Sequence, residues 1–464
     1  MKKHVKIVNC NFSSIAVAAL GGEISTRQGT AEDIYDKRLQ MDISKNVDLI
    51  KKVVKSGHTS ILEHITLSLL CSDVSACVEE FFIRHRLASF TVKSRRYVDF
   101  SNAGYYTPDF CAIKNDECAK ELEELYHDHM TRLFTAYGTL LSLGIPKEDA
   151  RFVLPYSFHS NFVCTLNLRT LLDILKDLKT MHANMTDDEY WDIHDEYRTL
   201  YNDIIEILKD KYPAIYAIWT VFEEYTSTPK FIIPVKYKPG HSTTYVNKPG
   251  VSVINESSNE AYERVNKLFD TYKYLHSMNE IISQGPRELE YLNYQIVATN
   301  VTLSCLTHLL RHRMQSIMEE EIDMSTFILP ESIKESDDAL TLYTSIIKDH
   351  RNLITGMRDI CKRHGERDEF IKQEIIMQYY MLSGNTKTVR MVINAKELLI
   401  MSKLRTCNRA QWEIREIFTP AIQQLRTFHK LFSFYGPSCF VDGKCPEGYK
   451  CCGKQDEVFK KFSV

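Results

Sequence analysis

The sequence predicts an α+β protein built from two tandem copies of one domain, and three observations carry that prediction. The tripeptide Arg84-His85-Arg86 returns as Arg311-His312-Arg313, a spacing of 227 positions (311 − 84). At the same spacing Ser89 meets Ser316, Glu63 meets Glu290 and Asn167 meets Asn394, with matching apolar positions around each, so coincidence is a poor account. A period-two apolar pattern also passes into a helical one just before each tripeptide, so a strand leads into a helix twice.

In the first copy Ile65, Leu67 and Leu69 alternate as in a half-buried strand. Val74, Cys77, Val78, Phe81 and Phe82 then recur at helical spacing, with Ser72 as the expected N-cap. Arg84 is thereby placed at a helix C-terminus. In the second copy Ile296 and Ala298 take the strand position, and Val301, Leu306, Leu309 and Leu310 lead to Arg311. Long helical patterns follow in each copy, one of them through Trp412, Ile414, Ile417, Phe418, Ile422, Leu425 and Leu431. Trp191 and Trp412 are 221 apart (412 − 191), an offset that a six-residue insertion in the first copy explains.

A chain of 464 residues is long enough for two domains, each with its own core. The division expected is 1–225 for the first copy, a junction at 226–258 rich in Pro, Gly, Ser, Thr and Asn, 259–435 for the second copy, and a Cys-rich tail at 436–464.

A formal net charge of −3 gives no global attraction to nucleic acid or anionic membrane, and neither is an expected partner. No apolar run reaches membrane-span length, and polar residues from Asn9 to Ser14 interrupt the opening segment, so a cytosolic location is expected. Most of the thirteen cysteines are scattered singly, as reduced structural thiols would be. Cys439, Cys445, Cys451 and Cys452 crowd together in the tail with Gly and Pro between them. A structural zinc site and plain reduced thiols both fit that spacing, although the gaps of five residues exceed the usual two to four.

From Arg84 to Tyr97 the run RHRLASFTVKSRRY holds five Lys or Arg residues and no carboxylate. Taken alone it fits either a solvated basic loop or a site where guanidinium groups converge on phosphate. After its own tripeptide the second copy instead runs Ile317-Met318-Glu319-Glu320-Glu321-Ile322-Asp323, with Glu321 and Asp323 where the first copy has Ser94 and Arg96. The two loops cannot hold the same ligand group, so the halves are complementary rather than redundant.

Arg84-His85-Arg86 followed by Ser89, Ser94, Arg96 and Tyr97 resembles the RHRxxSxxxxSxRY signature of the flavin-dependent thymidylate synthases. Gly57-His58-Thr59-Ser60-Ile61-Leu62-Glu63-His64 is similar to that family's GHxSxxEH segment, and Ala150-Arg151-Phe152-Val153-Leu154-Pro155 to its ARxxLP segment. Leu404-Arg405 with Ala410-Gln411-Trp412-Glu413-Ile414-Arg415 resembles the family's LRxxxxAQWEIR. The first copy departs from the pattern at Phe81, Thr91 and Val92.

The resemblance implies an antiparallel sheet with long helices, the two copies forming a pseudo-dimer within one chain. It implies a methyltransferase that reductively methylates dUMP at C5 to dTMP. Methylenetetrahydrofolate would be the carbon donor, FAD the redox carrier, and NADPH or NADH the electron source. No cysteine nucleophile is required. Carried over residue by residue, Ser94, Arg96 and Arg151 of the first half would hold the dUMP phosphate. Arg311 and Arg405 of the second half would complete the clamp and polarise the uracil, with Arg405 the expected catalytic residue. His308, at the position of Phe81, either meets the pyrimidine or is an ordinary helix-surface histidine.

For FAD the pattern points to Arg84, His85, Arg86, Ser60, Glu63, Asn167 and Arg169. Glu63 could equally cap or pair within its own half, and Trp412 reads as core. Gln378 stands opposite Arg151 and Leu178 opposite Arg405, so the reciprocal site should not bind phosphate. A homodimer would then imitate the family's homotetramer with one working site type. Two alternatives stay open: the same scaffold methylating or hydroxymethylating another pyrimidine nucleotide such as UMP, and a catalytically dead nucleotide- or nucleic-acid-binding homologue.

Overall fold

The structure is a computed structural model and describes residues 4–10, 13–183, 196–226, 237–238, 242–274, 276–368 and 374–463. Elements of the first copy are β1 (Val5–Cys10), β2 (Thr66–Ser75), α1 (Ala76–Ile83), β3 (Ala88–Val92), α2 (Asp116–Ser142), β4 (His159–Asn167), α3 (Leu168–Ala183) and α4 (Glu196–Lys211). Those that follow are β5 (Tyr237–Lys238), β6 (Thr244–Val246), β7 (Gly250–Asn255), β8 (Asn293–Thr302), α5 (Leu303–Leu310), β9 (Gln315–Glu319), β10 (Ile322–Ile328), α6 (Asp337–Arg363), β11 (Asn385–Asn394), α7 (Ala395–Arg405) and α8 (Trp412–Phe428). Other helices are named by their residues.

The chain folds into two compact units. The first comprises Met1–Thr139, Val153–Val235 and Ser345–Met381; the second comprises Leu140–Phe152, Lys236–Thr344 and Leu382–Val464. The units therefore interleave along the chain, and the exchange is reciprocal. Arg151 of the first copy belongs to the second unit, while Gln378, its counterpart, belongs to the first.

The first unit holds a four-stranded antiparallel sheet in the order β1-β2-β4-β3. Strand β2 buries Leu67, Leu69 and Cys71 and turns Thr66 outward, the period of two that fixes a sheet's register against its core. Every residue of α1 is buried, as expected of a helix that is apolar nearly all round.

The second unit repeats this sheet as β7-β8-β11-β9 and widens it to seven strands, with β10 beside β11 and the short β5 and β6 pairing parallel to β10. The junction thus supplies three strands. The repeat extends to the backbone: β2 and β8 each carry a bulge at a left-handed residue, Asp73 (φ 54°) and Asn300 (φ 57°), again 227 apart (300 − 73). Asp and Asn tolerate that conformation better than other side chains with a Cβ.

Two expectations about element ends are corrected here. The strand continues through the bulge to Ser75, so Val74 lies in β2 rather than in the helix, and Ser75, not Ser72, is the N-cap, its hydroxyl accepting from Val78 N at 3.2 Å. Likewise Val301 lies in β8, and Thr302 caps α5 by accepting from Cys305 N at 3.0 Å.

Helices α2 and α6 are both 27 residues long. Within the first unit His129 and His350 stack at 5.3 Å, their Nε2 and Nδ1 atoms 3.1 Å apart. His129 lies 13 residues into α2 (129 − 116) and His350 13 residues into α6 (350 − 337), which makes them counterparts, so equivalent residues of the two copies meet, as they do across the two-fold axis of a homodimer. Burial holds both neutral, lowering His129 to about 4 and His350 well below the ordinary histidine range.

Candidate active site

Both Arg-His-Arg tripeptides end a helix, with Arg84 the C-cap of α1 and Arg311 that of α5, as the periodicity predicted. The start of each helix is pinned by a buried glutamate from a later helix. Glu196 accepts from Ser75 N at 2.7 Å and from the Tyr379 hydroxyl at 3.2 Å. Glu413 accepts from Thr302 N at 2.7 Å and Thr302 Oγ1 at 2.6 Å. Burial outweighs these hydrogen bonds and raises each carboxyl to about 7. These glutamates are 217 apart (413 − 196), not the 221 of the two tryptophans; Trp191 lies outside the described residues.

In the first unit a buried polar layer lies under the motif. Arg95, the variable residue of the SxR motif, pairs with Glu79 at 2.6 Å, and Glu79 also accepts from Ser160. Burial alone would lower the Arg95 guanidinium, but the charge and hydrogen bond of Glu79, with Tyr156 and Glu80 nearby, together hold it above its ordinary value. Glu80 takes Arg84 as an ion pair and accepts from the Tyr156 hydroxyl. Above this layer Ser94 and Arg96 occupy the turn after β3, where Ser94 Oγ accepts from Arg96 N at 3.3 Å. Arg96 is half-buried, its guanidinium 5.7 Å from the Tyr97 ring centre.

The residues expected at flavin gather around α3. His85 places Nδ1 3.1 Å from Phe81 O and Nε2 3.1 Å from Asp177, so both ring nitrogens face acceptors. Glu63 pairs with Arg169 at 2.7 Å, the within-half pairing noted above, and Asn167 Oδ1 accepts from Thr170 N at 2.9 Å, capping α3. Ser60 and Arg86 are exposed.

In the second unit the tripeptide enters a different circuit. Arg405 Nε donates to His312 Nε2 at 2.8 Å, and because arginine can only donate, His312 must carry its proton on Nδ1, which donates to Glu397 at 3.0 Å. Burial, reinforced by Arg405, lowers the His312 imidazole against the pull of Glu397 and keeps it neutral. Arg405 Nη2 also donates to His308 O at 3.2 Å. The half-buried guanidinium is thus held at two points. His308 itself lies half-buried on the helix and serves this contact through its carbonyl.

Arg151 is buried in the second unit, with Nε donating to Glu148 O at 3.1 Å. Arg151 and Arg405 both lie close enough to lower the Cys305 thiol, yet burial dominates and raises it well above the ordinary range, so this cysteine is no nucleophile. Trp412 is more than core, since its Nε1 donates to Asp149 Oδ1 at 2.6 Å.

The acidic segment of the second copy runs from the end of β9 into β10, with Glu320 and Glu321 between the two strands. Asp323 is in register with Thr386 of β11 and Lys238 of β5, and its carboxylate takes Ser325 N at 2.8 Å and the Ser325 hydroxyl at 2.6 Å. Glu319 pairs with Lys387 at 2.7 Å. Of the two readings left open for the tail, zinc gains no support: among the described residues no three His, Cys, Asp or Glu side chains are placed to hold a metal ion. All thirteen cysteines are free. Among the described residues, no helix is long and apolar enough to cross a membrane.

The sequence reading counted Arg95 within the basic run and missed Glu79, Tyr156, Glu196, Glu397 and Glu413. Of these Glu413 had a signal, as the acidic residue of LRxxxxAQWEIR, and the rest are defined by tertiary contacts alone.

The family described as "Thymidylate synthase complementing protein" matches residues 9–214 and again 235–429. A flavin-dependent thymidylate synthase of Clostridium tetani is 26% identical over 252 residues, which take in 94% of that protein and 52% of this chain. Another, of Pyrococcus abyssi, is 35% identical over 171 residues, 67% of that protein and 36% of this chain. Among solved structures, the UMP/dUMP methylase PolB of Streptomyces cacaoi bound with 5-Br dUMP is similar at 24% identity and a TM-score of 0.39, covering 48% of this chain and 97% of that one.

Proposed function

Because the chain belongs to the thymidylate synthase complementing protein family, we propose that it is a flavin-dependent methyltransferase converting dUMP to dTMP, with methylenetetrahydrofolate as carbon donor and NAD(P)H as electron source. The observation that carries this reading is the Glu397–His312–Arg405 relay, which holds a cation ready for an oxygen that gains negative charge.

In this reading Ser94, Arg96, Arg151 and Arg311 hold the nucleotide phosphate, where guanidinium forks match phosphate oxygens. Arg405 would polarise a uracil carbonyl and stabilise the enolate-like charge on its oxygen while C5 acts as the nucleophile toward the one-carbon unit. Because His312 Nε2 accepts from Arg405 Nε and His308 O accepts from its Nη2, the guanidinium keeps one orientation.

FAD, when bound, supplies the hydride chemistry. The residues present fit it: Arg86, Arg169 and Ser60 offer donors for a diphosphate, and Asp177 Oδ1, beside His85, is a buried acceptor without a hydrogen-bond partner among the described residues. The proposed assembly is a homodimer in the cytosol.

Tritium release from [5-³H]dUMP by the purified protein with FAD, methylenetetrahydrofolate and NADPH tests the proposal, with dTMP as the expected product. Release from UMP alone would move the acceptor to ribonucleotide. A flavin-loaded protein inert toward both would sink the methylase reading.

A further inference from the structure

The turn that carries Ser94 and Arg96 is anchored through the residue between them. Strand pairing ends with Val92 opposite Phe162, and one further backbone bond joins Lys93 N to Asn161 O at 3.0 Å. From there the chain turns, Val98 N donating to Ser94 O at 3.0 Å. Ser94 and Arg96 stay half-buried, while the Arg95 side chain drops into the core to meet the fully buried Glu79 of α1. Arg95 Nη2 donates to Glu79 Oε1 at 2.6 Å, and Glu79 Oε2 accepts from Ser160 of β4. The guanidinium also lies 5.2 Å from the centre of the Phe158 ring. A helix, a strand and an aromatic face thus hold one side chain of the turn.

The second copy shows what the fold itself demands at these two places. At the spacing of 227, Glu79 corresponds to Leu306 (306 − 79) and Arg95 to Ile322 (322 − 95). The elements agree: Glu79 and Leu306 are each the fourth residue of an eight-residue helix, and Arg95 and Ile322 each follow the end of a strand by three residues. Leu306 and Ile322 are both buried, so the same architecture accepts two apolar side chains where the first copy has an ion pair. Stability is a poor reason for the pair, because apolar side chains of similar size in place of buried charges are often neutral or stabilising. The charge is also incompletely compensated, since Arg95 Nη1 is buried with no hydrogen-bond partner among the described residues. What differs is how the backbone is held. Ile322 opens β10 and is in register with Tyr237 of β5, whereas Arg95 lies beyond the end of β3. Strand pairing fixes the one, and a side-chain anchor fixes the other.

We propose that Glu79 and Arg95 are positioning residues for nucleotide binding, which fix the turn from below so that the Ser94 hydroxyl and the Arg96 guanidinium meet one phosphate group together. That the phosphate is the one on dUMP rests on the function proposed above. Neither Glu79 nor Arg95 touches the nucleotide; both act through the two residues that flank Arg95. Arginine suits this task because its planar fork takes one orientation against a carboxylate, and a turn tied to that fork cannot rotate about it as it could about a lysine ammonium. The second copy, with Glu321 and Asp323 at the flanking places, has no phosphate to grip and fills the same interior with leucine and isoleucine.

The test transplants the second copy's residues into the first, Glu79→Leu with Arg95→Ile in the full chain, a double change that leaves the net charge as it was. The variant should fold with a melting temperature at or near that of the unaltered protein. In calorimetric titrations it should bind dUMP about 10-fold more weakly, because the two phosphate-binding groups no longer share one geometry. Deoxyuridine, which lacks the phosphate, should bind to both proteins alike. Arg95→Lys, which keeps the charge and loses the fork, should weaken dUMP by a smaller factor and again spare deoxyuridine. Unchanged dUMP affinity in the double variant, an equal loss for dUMP and deoxyuridine, or a double variant that does not fold would each overturn the proposal. If the unaltered protein bound no dUMP, the methylase reading itself would fall; if it bound dUMP and the double variant bound it equally well, only the positioning role would.

Discussion

The two copies of the Arg-His-Arg helix end place the same histidine in different circuits. In the first copy His85 meets the Phe81 carbonyl and Asp177, and its neighbouring arginine is taken up by Glu80. In the second copy His312 is neutral, donates to Glu397 and accepts from Arg405. The difference comes from one helix position, Leu178 against Arg405, and from acidic residues on opposite sides of the ring. Leu178 is fully buried, so the first copy filled with packing the place where the second keeps a cation. A motif identical in letters therefore says where a histidine sits, while its partners decide which proton it holds.

The sharpest way to break this comparison is Arg405→Ala. Turnover should fall by roughly 10²–10³ with flavin binding kept, because a donor aimed at developing charge is lost; full activity measured by tritium release would end the assignment. Next, His312→Leu should lower kcat by about 10-fold through misplacement of Arg405, with the KM for dUMP little changed. His85→Leu should instead be felt in flavin affinity at near-normal kcat, and equal kinetic penalties would mean the circuits do not differ in function.

A third measurement concerns what the copies share. Glu196 and Glu413 are each raised to about 7, above the ordinary carboxyl value, so their contribution to stability is complete below that ordinary value and is lost as pH rises through about 7. Denaturation midpoints should decline over that window, by up to about 3 kcal/mol per group. Glu196→Gln and Glu413→Gln should each flatten the slope. The smallest effect expected is from Asn167→Ala and Asn394→Ala, each removing a helix N-cap for about 1 kcal/mol. If Asn167→Ala also weakened flavin binding, the cap would carry a cofactor role that Asn394 lacks.

The duplication, the fold class and the helix-end position of both tripeptides were legible because each is a local pattern repeated at one spacing. The helix start at Ser75 was not. Serine, aspartate and valine around the bulge suit a cap or a strand equally, and only pairing of β2 with β4 decides between them. The acidic segment was read as unable to copy the basic one, but not as leading into a strand, since β10 exists through partners in β5, β6 and β11. Arg151 was legible as a motif residue of the first copy but its place in the second unit was not, because sequence order does not show that Leu140–Phe152 is exchanged. The buried carboxylates escaped notice because nothing in a single sequence separates a glutamate that meets a backbone amide in the core from one that faces water.

The meeting of His129 with His350 has a consequence for how such a chain can change. When two identical subunits touch across a two-fold axis, any substitution there appears on both sides at once and must be compatible with itself. Here the two positions are encoded separately, so either can vary while the other stays. The same liberty extends to every paired position along the chain, and it is what permits a leucine and an arginine, or a serine and a glutamate, to occupy places that a symmetric assembly would oblige to match.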